Sequence, residues 1–498
     1  MANNTQETNP WQTVRIPLVG INTQRPATAG AFVSGKDQRF VNFIPVKSQN
    51  PFTGKEKFFL IKRPGFKAHS TPSAGNICTA LHVFEGSGSG TTIISAFGAT
   101  NSTIYSDTTS KGDITGRARG MIEVDFTGTA TVVTASTDSS GWFFPAGGSL
   151  TEITDAQYPG EASRTTVGNF VSMDGYLFIM DTTGRIYNSD RTSITSWSGS
   201  YIEPTYNHPF VGVGLARHHN TVVAFGTSSF EFLKDVGNQD GSPLGREDAP
   251  YKIGAFRPNT NGVTIVNHGD DVYFVGSANV GGTAIYRIRG FKPEVVSPAV
   301  VNAQLEVQEP QKATLSLARI WGKSILMVLT NNTSGETFAY NIEDDIWFEM
   351  AKGGGGVLWG ITGPSRTWDA RVFTASLEDT GGKVYEWETD TPVYQDDSDA
   401  YTATVQTSKI DFETDNLKRW HKLTLLGDKQ AATTTVGVSW ADNDYGTFST
   451  ARNVDMVNDR TYLTGCGASR RRAIKLTNST NTPCRLEAIE INYSVCDH

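Results

Sequence analysis

Charge is scarce in this chain: Asp, Glu, Lys and Arg make up only 19% of its 498 residues, and apolar residues stand at a low 38%. Helix bundles need Ala, Leu, Glu and Lys in quantity, so that class is excluded. No apolar stretch approaches the roughly 20 residues with which a helix crosses a bilayer. The opening Met1-Ala-Asn-Asn-Thr-Gln-Glu7 lacks the basic and apolar regions of a secretory signal, so synthesis and first function in the cytoplasm are expected. Cysteine is rare as well. Cys78, Cys466, Cys484 and Cys496 match no zinc spacing, and four in so long a chain are no disulfide framework. Reduced, mostly buried thiols are expected; Cys466 and Cys484 could meet across neighbouring strands, but nothing demands it. A basic excess is missing too. The net charge of −8 argues against a tight grip on nucleic acid, because phosphate contacts dominate such affinity. It still allows a surface past which DNA slides.

What fills the balance is Thr, Ser, Asn and 50 glycines. Many short strands joined by tight turns have this composition, since Gly and Asn accept the positive φ that hairpins require. Aromatic residues, at 10%, exclude a disordered chain. Residues 1–70 carry Pro10, Pro17, Pro26, Pro45, Pro51 and Pro64. Proline removes a ladder donor, so this segment reads as an irregular, strand-poor arm.

From about Ile77 a unit repeats: an apolar strand, a polar-Gly turn, a second apolar strand, and a strand ending in an aromatic. The clearest copy is Phe170–Ile179 with Gly184-Arg-Ile-Tyr187. Others run over Val213–Phe225 with Phe230-Glu-Phe232, Val263–Val275 with Ile285-Tyr286, and Leu315–Leu329 with Phe338-Ala-Tyr340. A further copy extends from Val357 through Val372-Phe373 to Val384–Trp387. The anchors Tyr187, Phe232, Tyr286, Tyr340 and Tyr385 lie 45 to 54 residues apart, a period that suits four-stranded propeller blades. Weaker copies at Ile93–Tyr105 and Val124–Trp142 bring the total to about six or seven. The reading is an all-β protein: an N-terminal arm over 1–70, a β-propeller over 71–395, and a C-terminal β-sandwich over 396–498. The acidic break Asp390–Tyr401 marks the last boundary. Beyond it Lys422–Leu426, Thr435–Trp440, Arg472–Leu476 and Leu486–Tyr493 alternate with a period of two, as half-buried antiparallel strands do.

Three motifs at the opening stand in a distinctive order: Arg15-Ile-Pro-Leu18, then Gln38-Arg-Phe-Val-Asn-Phe-Ile-Pro45, then Phe59-Leu-Ile-Lys-Arg-Pro-Gly65. This order resembles the start of the tail hub, or nozzle, proteins of short-tailed bacteriophages, the packaged-DNA stabilisation family. The closing Trp440–Phe448 hairpin, followed by Gly465, Gly467 and Ser469-Arg-Arg-Arg472, is similar to the last module of such proteins. The long loops after Phe232 and Tyr286 and the His218-His219 pair have no place in that pattern. The resemblance implies a virion tail protein assembled in the host cytoplasm. It further implies a homo-oligomeric ring of six copies below the portal and its adaptor, enclosing the DNA exit channel. Tail fibre, spike or plug proteins and double-stranded DNA in passage would be the other partners.

Candidate site residues read mostly as architecture. Asp442-Asn-Asp444-Tyr-Gly446-Thr-Phe448 resembles the Asp box of sialidase-like propellers, a structural hairpin turn, and supplies too few oxygens for calcium. Arg470, Arg471 and Arg472 form the only basic triplet; consecutive strand residues face opposite ways, so they cannot clamp one carboxylate. They are expected on a solvated or subunit-interface edge, or facing DNA. His208, His218, His219 and His268 have no ligand spacing, and adjacent histidines on a strand point apart. Gly353–Gly356 lacks the Lys-Ser/Thr of a phosphate loop. Asp344-Asp345 and Asp396-Asp397 read as turn residues, although glycosidases do use two carboxylates. No Gly-x-Ser-x-Gly elbow is present. The expectation is a non-enzymatic protein without cofactor or metal. Two alternatives stay open: a glycan-binding or glycan-cleaving propeller, and a scaffold in a bacterial signalling complex.

Overall fold

A computed structural model describes residues 12–18, 38–49, 56–85, 91–203, 210–238, 241–246, 250–259, 263–278, 281–331, 336–353, 372–375, 381–387, 391–443 and 445–496. The fold is all-β, with a propeller and paired sheets. Its one α-helix of the described residues is Ala299–Val307, docked on the strand Thr283–Arg289. The chain forms two compact units, Lys67–Phe338 with Val357–Thr389, and Met1–Phe66 with Ala339–Gly356 and Asp390–His498.

Among the described residues, seven blade sheets can be followed along the propeller. The first runs Cys78–Glu85, Thr91–Phe97, Ser102–Ser106 and Thr109–Ile114 in a simple meander. The second, third and fourth repeat it from Ile122–Val124, Thr166–Met173 and Gly212–His218. The fifth has an extra strand, because Ile253–Ala255 and Ile265–His268 both pair with Asp271–Ala278. Thr314–Ile320 and Lys323–Leu329 open the sixth. The seventh pairs Val372–Ala375 with Val384–Trp387, and the strand Phe66–Ser70 lies beside the latter. The start of the propeller thereby covers the edge of its last blade. A single blade cannot bury both faces, and an open edge would invite foreign strands. Val357, expected to start the last copy, lies outside the described residues.

Blades interlock through apolar layers. Phe225 and Phe230 of the fourth meet Phe274 of the fifth, with ring centroids 4.9 and 5.7 Å apart. The anchors Tyr187, Phe232, Tyr286, Tyr340 and Tyr385 are all buried, as the repeat predicted. Innermost strands approach closely: a Cβ on Gly168 would lie 2.9 Å from the Cα of Gly214, and Gly168 also has φ +65°. Only glycine satisfies both demands.

The second unit corrects the strand-poor reading of residues 1–70. Gln12–Pro17 pairs with Arg485–Val495, and Phe43–Gln49 pairs with Glu56–Lys62. Two of the described prolines are tolerated in strands because of where they fall: Pro17 ends its strand and Pro45 sits in an edge strand of its sheet, positions where a missing N–H costs no ladder bond; Pro10, Pro26 and Pro51 lie outside the described residues. The C-terminal segment alternates as expected, with Leu486, Ile489, Ile491 and Tyr493 buried along Arg485–Val495. In a second sheet, Arg39–Val41 lies between Ile346–Met350 and Ala403–Gln406. The grouping of residues 1–66 with 390–498 therefore follows strand pairing and not chain order.

At the middle of this unit sits Arg63, fully buried. Its Nη1 and Nη2 donate to the two carboxylate oxygens of Asp396 at 2.8 and 2.5 Å, Nε to Asn42 Oδ1 at 2.9 Å, and Nη2 to the carbonyl of Ala351 at 2.9 Å. The Tyr401 ring stacks on the guanidinium at 3.9 Å. Burial alone would lower its pKa, but the Asp396 carboxylate outweighs that and holds it above the usual range. Gly65 must be glycine, since a Cβ there would lie 1.9 Å from the Gln395 carbonyl oxygen. Asp396 is thus a buried partner and not a turn acid, whereas Asp397 and Asp345 do occupy turn positions with φ +49° and +57°.

Replacing Arg63 with Met strands a buried carboxylate and should cost this unit about 3–5 kcal/mol. The double variant Arg63→Met/Asp396→Leu should recover much of it. Urea denaturation followed by tryptophan fluorescence tests both.

Candidate functional site

Hairpin blades arranged radially leave their innermost strands around an axis, and there the propeller holds a cavity of about 1180 Å³. Its wall comes from the starts of the blades: Thr79-Ala80, Arg117–Phe126, Val167–Gly175, Val213–Leu215, Val263–Gly269, Thr314 and Leu317–Arg319 contribute. Five arginines line it, Arg117, Arg119, Arg217, Arg257 and Arg319, against three carboxylates, Glu123, Asp125 and Asp174, among the described residues. In a chain of net charge −8 this is a local reversal of sign.

The side chains divide by how they are held. Arg119 is fixed: Nη1 donates to the Thr166 carbonyl at 2.7 Å and Nη2 to the Thr137 carbonyl at 3.3 Å. Burial lowers its pKa to about 10, and the nearby cations Arg257 and Arg117 oppose its charge further. Burial also lowers Arg117. Arg217 spends its Nε on the His219 carbonyl at 3.1 Å. Of the acids, Glu123 lies 2.8 Å from Nε2 of the buried His82, while Asp125 accepts the Gly128 N–H at 2.7 Å. Apart from Arg117 and Arg119, which stand two positions apart, these arginines are scattered along the chain, and no local motif announced them. The available signal was weak: each falls at or near the first strand of a repeat.

The histidines depart from the expectation that neighbours point apart. His219 takes φ +49° in the turn after the strand, which swings its ring to 4.4 Å from that of His218. His218 is buried; Nδ1 donates to the Asp270 carbonyl and the Phe291 N–H donates to Nε2. Two backbone partners fix a neutral ring with no nitrogen left for a metal. His268 lines the axial cavity, and His208 lies outside the described residues. No group of three metal-ligating side chains occurs among the described residues.

The Asp-box-like turn and the arginine triplet belong to the other unit, and there Arg472 corrects the expectation of an exposed edge. It is buried, with Nε and Nη2 on the two Asp442 oxygens at 2.7 and 2.9 Å and Nη1 on the Cys466 carbonyl at 2.6 Å. Its guanidinium lies between Trp420 and Trp440, 4.8 and 5.0 Å from their rings. The reason is register: Ala441 pairs with Ala473, so the flanking Asp442 and Arg472 meet across the strands. Arg470 is exposed and donates to the Asp415 carbonyl at 2.7 Å, and Arg471 is exposed as well. Asn443 closes the turn: its carbonyl accepts from Gly446 N–H at 3.2 Å and its side chain from Thr447 N–H at 3.0 Å. Tyr445, not Gly446, takes the positive φ of 72°. Asp444 and Gly354–Gly356 lie outside the described residues. The four cysteines are free thiols, and Cys78, Cys466 and Cys484 are buried.

Residues 91–361, more than half of the chain, match a family model described as Bacteriophage P22 Gp10, beta-propeller. No curated protein matches. Among solved structures, Raptor of Chaetomium thermophilum is 10% identical with a TM-score of 0.41; the match takes in 66% of this chain and only 29% of that one. The extracellular domain of the hybrid two component system BT3049 of B. thetaiotaomicron is 8% identical with a TM-score of 0.44, over 92% of this chain and 61% of that one. Likenesses this remote say nothing about function.

Substituting Arg472 with Lys keeps the charge but loses the fork on Asp442 and the planar stack. It should destabilise by about 2 kcal/mol, measured by chemical denaturation. His218 sets a pH dependence. Burial, aided by His219, holds its pKa below the usual 6.5. The unfolded chain therefore takes up a proton that the folded state refuses, and stability falls as pH drops through and below 6.5, by at most one proton's slope. Melting temperatures between pH 7.5 and 5.5 should show this fall, and His218→Asn should flatten it.

Proposed function

The chain belongs to the family described by the β-propeller of bacteriophage P22 Gp10 and is on that ground a phage structural protein of the packaged-DNA stabilising kind; from this we propose that it is a subunit of a tail hub, or nozzle, ring. In this reading it attaches below the portal and adaptor, encloses the DNA exit channel and retains the genome until ejection. Six copies form the ring, and fibre, spike or plug proteins are its further partners. The protein acts as architecture and not as an enzyme.

The observation that carries the reading is the coincidence of the family match with the fate of the flanking motifs. Arg15, Asn42, Arg63 and Gly65, which stand in the family-like opening, are built into one sheet assembly together with the C-terminal strands. A protein that sends its two terminal segments into one folded unit of their own has a second surface to offer neighbours. Sheet edges on that unit suit repeated subunit contacts, which in a closed ring use the same surfaces on every copy. The net charge of −8 suits a channel through which DNA moves without being held.

The glycan-cleaving alternative would require two free carboxylates flanking a sugar bond. Among the described residues of the axial cavity, Glu123 is held by His82 and Asp125 accepts the Gly128 N–H, which leaves Asp174 as the one remaining acid.

Negative-stain electron microscopy and native mass of the purified protein should show a ring with a central hole. Deleting residues 1–17 should abolish or weaken that ring while leaving the β-rich circular dichroism largely intact, because Arg39–Val41, which lies inside the second sheet, is kept. A persistent monomer under all conditions, or a ring unaffected by the deletion, would remove the assembly role.

A further inference from the structure

The axial cavity holds cations that the fold does not use. Arg117, Arg257 and Arg319 have no hydrogen-bond or ion-pair acceptor among the described residues, although all three line the same space. They come from the second, fifth and sixth blades, with Arg217 of the fourth beside them. Arg117 and Arg257 both lie close enough to Arg119 to oppose its charge. Like charges gathered in a partly desolvated space are unfavourable unless an anion joins them. The fold has acids available to answer them and does not do so: Glu123 and Asp125 are turned to other partners.

We propose that this cavity is a binding site for a small ligand carrying two or more oxyanion groups, phosphate or carboxylate. Guanidinium groups present planar pairs of donors that match either group. Several arginines on separate blades favour a multivalent anion over a single one. The volume of about 1180 Å³ is of the order of ligand pockets, roughly 300–1,000 Å³. Binding would add a link between the second, fifth and sixth blades, which carry Arg117, Arg257 and Arg319. The site belongs to the propeller and stands whether or not the protein forms a ring.

Calorimetric titration of the full-length protein with sodium pyrophosphate and, separately, with citrate tests the site, with sodium chloride at matched ionic strength as reference. Saturable binding of at least one of the two is expected. Pyrophosphate alone would identify a phosphate ligand, and citrate alone a carboxylate one. The Arg257→Gln/Arg319→Gln variant should bind about tenfold or more weakly, the scale of a lost charge-assisted hydrogen bond. Arg257→Lys/Arg319→Lys should retain part of the affinity, and Arg470→Gln should bind as the wild type does. Both arginines are exposed within the cavity, so circular dichroism of the variants should be unchanged. No saturable heat with either anion, or equal affinity in the Gln variant, overturns the proposal.

Discussion

The ion pair between Arg63 and Asp396 is the contact on which one whole unit of this protein depends. A guanidinium with no exposure to solvent is tolerable only when every donor is satisfied and the charge is matched. Here Asp396, Asn42, Pro64 and Ala351 supply the acceptors and Tyr401 covers the face. The partners come from three separate stretches of chain, so the pair forms only when all three are in place. Asp396 answers further, accepting the Gly353 N–H at 2.8 Å. Lys62, the next residue back, is buried too; burial lowers its pKa to about 8, and its Nζ donates to Asn478 and Thr480. Polar groups this demanding specify one arrangement where apolar residues of similar size would accept several.

The propeller rests on a different constraint, the need to leave no sheet edge open. Meandering blades bury their faces against neighbours, and the strand beginning at Phe66 covers the last blade. Arg63 and Asp396 flank in sequence the points where the chain begins and finishes this circuit. The family match places the propeller among phage structural proteins, and the terminal segments give it a second folded unit.

The chain also shows why charge counts mislead about local electrostatics. Its overall balance is acidic, yet the propeller axis gathers five arginines. Conversely, the one visible basic cluster, Arg470–Arg472, is not a uniform patch, since Arg472 is spent on Asp442 between two tryptophans. Period-two alternation told the faces of each strand apart, but which strands become neighbours sets whether an arginine meets a carboxylate, a carbonyl or open space.

Repeat period, turn composition and alternation are local properties, and by themselves they determined the all-β class, the propeller and its aromatic anchors such as Tyr187 and Tyr286. They did so because a four-stranded meander needs only short-range pairing and a turn residue at each corner. The opening motifs pointed to the family but carried no hint of their physical task. That Arg63 would meet Asp396, that prolines near the start would sit in strands, that His219 would turn onto His218, and that Arg117, Arg257 and Arg319 would share one cavity were decided by tertiary structure alone. Each joins residues between one and more than 300 positions apart through strand pairing, ring closure or a single positive φ, and no window along the chain contains that information.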